Sequence, residues 1–184
     1  SELPDAARSA AIEFPEGATA VLVYPYIDRE AGMSFEVLSP ADLRKRTYFT
    51  DYDPTVRSGY RCVLSWKDVS DCPMDYCDDP EQVIDDFAEH CHAIDDRYDV
   101  GHEIDETRFV TEVDELRNPE FPDDIFVFLF SGDRDSEGRW ENEPEGVWVQ
   151  LDRIDGSRLV GTLRNEPYAD CGMHEGDALC IELI

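Results

Sequence analysis

Apolar and polar positions along the chain change period several times, and each change marks an element. Thr19-Ala-Val-Leu-Val-Tyr-Pro-Tyr-Ile27 is rich in β-branched and aromatic residues and predicts a strand, with Pro25 placing it at an edge or a strand end. Residues 33–38 predict a second strand, paired with the first across Glu30-Ala31-Gly32. Ser39-Pro40-Ala41-Asp42 carries a helix-start signature, with Ser39 as cap and Pro40 at the first position. Residues 60–66 alternate as a further strand. The clearest helix begins at Asp79, which caps, with Pro80 in the first turn and Gln82 at the third position. Val83, Ile84, Phe87, Ala88 and Cys91 then recur at helical spacing, while Asp85, Asp86, Glu89 and His90 fall largely on the other side. The first dozen residues read as a weakly helical lead-in, and residues 107–113 predict a strand.

Asn118-Pro119-Glu120-Phe121-Pro122 interrupts the pattern and predicts a boundary. It divides an acidic α+β part, residues 1–118, from a β-rich part, residues 119–184, the alternative being one continuous domain. Ile125-Phe-Val-Phe-Leu-Phe130 is apolar on both faces, which predicts a central strand covered on both sides. Residues 131–146 form a polar loop. Residues 146–154 and 157–163 flank Asp155-Gly156, a two-residue hairpin turn, and residues 177–183 close the sheet. The fold class expected is α+β: an antiparallel sheet with one main helix and a C-terminal part that is mostly β.

Charge changes the picture most. There are 44 acids against 16 bases, a formal net charge of −28, and the only lysines are Lys45 and Lys67. Nucleic acid and anionic membranes are excluded as partners, because each phosphate contact needs a cation. Basic proteins are attracted, and a field of this size speeds their encounter. Residues 68–106 contain fifteen acids and a single Lys or Arg, Arg97. Trp66, Tyr76, Phe87 and Tyr98 are interleaved with them, so this block is expected to fold into an acidic face. Its candidate partner-binding residues are Trp66, Asp75, Tyr76, Asp78, Asp79, Asp85, Asp86 and Tyr98. The competing explanation is general adaptation of the surface to high salt. No run approaches the roughly 20 apolar residues of a membrane span. Residues 1–13 lack the basic start and apolar core of a secretory signal, so the cytoplasm is the expected compartment. Mutual repulsion favours a monomer.

Candidate chemistry is sparse. Of the six cysteines, Cys72 and Cys77 are spaced C-x4-C and His90-Cys91-His92 follows, but Cys91 belongs to the apolar helix face and the two histidines point apart. A second pair of close ligands is missing, so no zinc site, and no other cofactor, is expected. Asp75, Asp78 and Asp79, or Asp133, Asp135 and Glu137, supply oxygens for calcium without the register of a dedicated loop. No nucleophile elbow, phosphate-cradling loop or dinucleotide fingerprint occurs. His102 with Glu103, Asp105 with Glu106, and His174 with Glu175 are acid–base pairs of a kind common in so acidic a chain. No catalytic residue is assigned.

The C-terminal stretch carries a resemblance. Val147-Trp148-Val149, Asp155-Gly156, Gly161-Thr162-Leu163-Arg164-Asn165-Glu166-Pro167 and Glu175-Gly176-Asp177 follow one another there. This resembles the bacterial YegJ-like family, a domain of unknown function (DUF2314), in which a W-V-x-V strand leads to a hairpin, a G-x-L-x-N-x-P stretch and an x-G-D turn. Modules of this kind also look like ones found among immunity proteins of bacterial toxin systems. The resemblance implies an inhibitor of a basic partner, a toxin among the candidates; the alternative is a housekeeping scaffold or small-ligand module with a salt-adapted surface. The same residues have a structural explanation. Gly156 permits a tight turn, Gly161 close packing or a bulge, Asn165 a bond to its own backbone, and Pro167 an end to pairing.

Overall fold

The first predicted hairpin forms, and its second strand runs further than its apolar pattern. Strand β1 (Ala20–Asp28) pairs antiparallel with β2 (Gly32–Asp42) from Asp28↔Gly32 to Ala20↔Ala41. The Asp28 carboxylate accepts the N–H groups of Glu30 and Ala31, and Gly32, at φ +87°, completes a three-residue turn. The computed structural model in which this is seen describes residues 14–51, 61–132, 134–140 and 142–182. The expected lead-in helix, Tyr60, Asp133 and Leu183 lie outside the described residues. The chain divides into two units, Ser1–Asp99 and Val100–Ile184. The fold is α+β, with two four-stranded antiparallel sheets and several short helices.

In the first unit β2 is central. It pairs with β1 on one side, and with β3 (Thr47–Tyr48) and β4 (Val63–Ser65) on the other. Pro25 accordingly lies on an edge strand, as its sequence position indicates. The helix start expected at Ser39-Pro40 does not occur. Both residues continue β2, where Ser39 is wholly buried and its hydroxyl donates to the Phe49 carbonyl at 2.7 Å. A bulge opposite Leu22/Val23 leaves Leu38 as the extra residue. Two clusters result. Phe35, Val37, Cys62, Leu64 and Val69 form one, with Trp66 packed against it from α1 (Trp66–Val69). Leu38, Val83 and Cys91 form the other, with Leu22, Tyr24, Tyr48 and Phe87.

The helix predicted from Asp79 starts as expected: the Asp79 side chain accepts the Gln82 N–H at 3.1 Å, with Pro80 in the first turn. Gln82 does not reciprocate; its amide donates to Asp86 instead. The helix also breaks at Phe87 (φ −118°, ψ 27°) into α2 (Pro80–Asp86) and α3 (Ala88–Tyr98). The break lets the Phe87 ring pack against Tyr48, their centroids 5.8 Å apart.

The second unit begins with α4 (His102–Arg108) and a 3-10 helix, Thr111–Leu116, in place of the strand expected over 107–113. Its sheet has the order β5 (Asp124–Leu129), β6 (Glu145–Asp155), β7 (Arg158–Leu163), β8 (Ala178–Glu182). The core is Val113, Ile125, Val147, Val149, Leu151, Leu159 and Leu163. Arg117 ties the helical end together, donating to the Thr107, Val110 and Pro122 carbonyls. Arg108 makes a two-pronged pair with Asp123, at 2.9 and 3.0 Å. The Pro-bounded stretch 118–122 thus lies inside this unit rather than at its border.

Two further expectations are corrected. β5 is an edge strand, not a central one. The β6–β7 turn is Gly156-Ser157, one residue later than Asp155-Gly156; Asp155 pairs with Arg158. Gly156 has φ +64° and is the only one of the two with positive φ, as a type II′ turn requires.

Gly161 lies against the β6 backbone beside the bulge between Leu151 and Arg153. A Cβ there would collide with the Gln150 carbonyl oxygen and with Val149 Cγ1. Gly161→Ala is expected to cost about 2–3 kcal/mol, as overpacking does. Gly156→Ala faces open space and should cost only about 1–2 kcal/mol, from its φ. Urea midpoints of the two variants check the order; equal losses would contradict it.

Candidate functional site

The acidic block up to Asp99 folds into the first unit as a loop followed by α2 and α3. Arg46, whose own φ is +52°, sends its guanidinium to two carboxylates of that loop: Asp78 at 2.7 Å and Asp75 at 2.8 Å. Tyr76, between them in sequence, is 97% exposed, and Met74 is 56% exposed. Asp75, Tyr76, Asp78 and Asp79 are therefore together, although Asp79 is committed to capping α2. Asp85 is exposed on α2.

The remaining candidates serve the fold. Trp66 packs against the Phe35 cluster. Asp86 accepts the Tyr48 hydroxyl at 2.7 Å, and Asp95 accepts that of Tyr24 at 2.9 Å. Burial and then these carboxylates push both tyrosine pKa values up to about 12. Tyr98 stacks on Tyr26 with centroids 4.3 Å apart. Three tyrosines of the sheet thus strap α2 and α3 onto it. Sequence reading missed these straps, because Tyr24, Tyr26 and Tyr48 are distant in the chain from their partners.

It also missed a fully buried charge. Glu36, in the middle of β2, has no exposure and receives Arg61 in a two-pronged pair, with contacts of 2.7 to 3.1 Å. His90 Nε2 lies 3.7 Å from the same carboxylate, and the Arg61 guanidinium lies 5.9 Å from the Tyr98 ring centroid. Two-pronged pairing with Glu36, against the opposing pull of burial, holds the Arg61 pKa above its ordinary value. The available signal was an acid inside the apolar run Met33-Ser-Phe-Glu-Val-Leu38.

Among the described residues no three of His, Cys, Asp and Glu are grouped to hold a metal ion. All six cysteines are free. Burial pushes the Cys62 and Cys91 thiols up, which is the reverse of nucleophile activation. In the second unit Asp135 spends its carboxylate on the N–H groups of Glu137 and Arg139 and on the Arg139 guanidinium. His102 faces Glu106 at 3.3 Å on the exposed side of α4. His174 pairs not with Glu175 but with Glu166, at 2.7 Å.

The residues of the C-terminal resemblance all have structural tasks. Asn165 accepts the Trp148 N–H at 2.8 Å, bonding β6 rather than its own backbone. Gly176, at φ +91°, donates to the Leu163 carbonyl. Glu145 accepts the N–H groups of Tyr168 and Ala169 and, with Glu143, Asn165 and Tyr168, borders an open depression of about 600 Å³. Among the described residues no helix is long and apolar enough to cross a membrane. No family model, no curated protein and no solved structure matches this chain.

The Glu166–His174 pair gives a pH prediction. The hydrogen bond and charge of Glu166 raise the His174 pKa, and bonding from His174 and the Glu175 N–H lowers that of Glu166. The raised histidine contributes fully below its unfolded value and is lost as pH rises through its folded one. The lowered carboxylate contributes above its unfolded value and is lost as pH falls through its folded one. The loop contact is therefore strongest between about pH 4.3 and 6.5. A proton NMR titration should place the His174 midpoint above the ordinary value, and Glu166→Gln should bring it back. An unchanged midpoint in that variant would contradict the pairing.

Proposed function

We propose that the protein is an acidic binding protein, an immunity-type inhibitor that seats on a basic partner and occludes an anion-binding site there. The observation that carries this reading is the loop at residues 71–79. It presents an almost fully exposed tyrosine beside two carboxylates that already hold a guanidinium. Tyrosine and arginine are the residues that dominate binding energies at protein interfaces. Exchange of the Arg46 contact for a partner's arginine needs no new chemistry. The exposed carboxylates of α2 and α3 add long-range attraction. The YegJ-like pattern of residues 146–177 supports the same class, and a monomer in the cytoplasm belongs to this reading.

A second reading, a small-ligand or scaffold module with a salt-adapted surface, is favoured by the depression beside Glu143, Asn165 and Tyr168. The two separate by experiment. Wild-type protein, Tyr76→Ala and Asp85→Lys are immobilised and exposed to lysate at low and then high salt. The inhibitor reading expects one basic protein retained at stoichiometric level by the wild type. Asp85→Lys should slow its association, and Tyr76→Ala should weaken it by about tenfold or more. A smear of basic proteins, retained equally by all three and shed as salt rises, would give precedence to the salt-adapted module.

A further inference from the structure

The run Ile125-Phe-Val-Phe-Leu-Phe130 is composed for burial on both faces, and among the described residues only one face is covered. Ile125, Val127 and Leu129 face the core of the second unit. Phe126 and Phe128 face the other way, and Phe128 and Phe130 remain 59% and 51% exposed. They belong to an aromatic surface: Phe126 meets Phe128 edge-on at 5.4 Å and Trp148 at 5.1 Å, and Phe130 lies 5.8 Å from Trp140. β5 is also an edge. Arg117 bridges to Ile125, but among the described residues no strand pairs with the outer side of Phe126 to Leu129. Exposed edges are ordinarily guarded by charge, proline or a bulge. β1 carries Pro25 and lies opposite a bulge, whereas residues 125–130 have no such device in a chain that is one-third charged.

We propose that the outer edge of β5 is a docking site for an extended basic segment of a partner protein, which adds to the sheet as a further strand. Main-chain hydrogen bonds along Phe126 to Leu129 would supply affinity and alternate side chains specificity, as in other strand additions. Charge complementarity selects the occupant. A second copy brings another −28 and is repelled, while lysine and arginine are attracted. The aromatic surface already takes such a group, since the Arg134 guanidinium sits 4.4 Å from the Trp140 ring centroid. This surface is distinct in sequence from the Tyr76 loop, and the proposal does not rest on it.

The test uses the whole chain and a fluorescein-labelled peptide in which valine alternates with lysine or arginine, read by anisotropy. Saturable binding is expected, weakened about tenfold by Phe128→Glu and by Phe130→Ser, and unchanged by Tyr76→Ala. Circular dichroism of each variant is expected to match the wild type, since the substituted side chains are exposed. Backbone N-methylation at alternate peptide residues should abolish binding in one register and spare it in the other. Absent binding, N-methylation without effect in either register, or binding to both Phe variants as tight as to the wild type would overturn the proposal. So would equal binding of a valine–glutamate peptide. A salt-induced dimer abolished by Phe128→Glu would overturn the basic partner and assign the edge to a second copy.

Discussion

Glu36 sits at the middle of the strand on which the first sheet is built, without contact with water, and Arg61 is its counterion. A carboxylate buried alone costs several kcal/mol even after relaxation, so the strand tolerates this residue only with the guanidinium in place. Arg61 lies just before β4 and within reach of the Tyr98 ring at the end of α3. The pair therefore helps set where β4 joins the sheet and where the helices come to rest. The second unit repeats the device with Arg108 on buried Asp123, and Arg117 ties three carbonyls.

Those ties account for the character of the surface. The chain has few cations, and several of them are engaged inside its own fold. The carboxylates left outside repel one another and are balanced by solvent ions, or by a partner. Acids with internal tasks, such as Asp79, Asp86 and Asp95, are strapped or capped. The Tyr76 loop differs, because its Asp75 and Asp78 hold an exposed arginine while an aromatic ring projects beside them. That difference within the acidic block is what the proposed binding role draws on.

What the sequence made legible was local. Period-two runs located β1, the first part of β2 and β6–β7, and capping chemistry located the start of α2. The misreadings arose where a tertiary contact outweighed a local signature. Ser39-Pro40 reads as a helix start, but the Phe49 carbonyl takes the Ser39 hydroxyl and the strand continues. Residues 107–113 look extended, yet Arg117 gathers their carbonyls into helical turns. The run at 125–130 reads as central because composition reports that a surface wants covering, not whether this chain provides the cover. The tyrosine straps and the Glu36–Arg61 pair join residues far apart in sequence, which no periodicity encodes.

Buried ion pairs thus hold together a fold whose exterior is self-repelling. Urea unfolding of the wild type and of Arg61→Ala, each at low and high sodium chloride, tests it most directly. Salt should raise the stability of both, because it screens exposed carboxylates. The difference between them, about 2–3 kcal/mol for a pair with one partner still partly exposed, should persist at high salt. A difference that vanishes as salt rises would rule out the buried pair as the fold's support, and a wild type indifferent to salt would rule out a self-repelling surface.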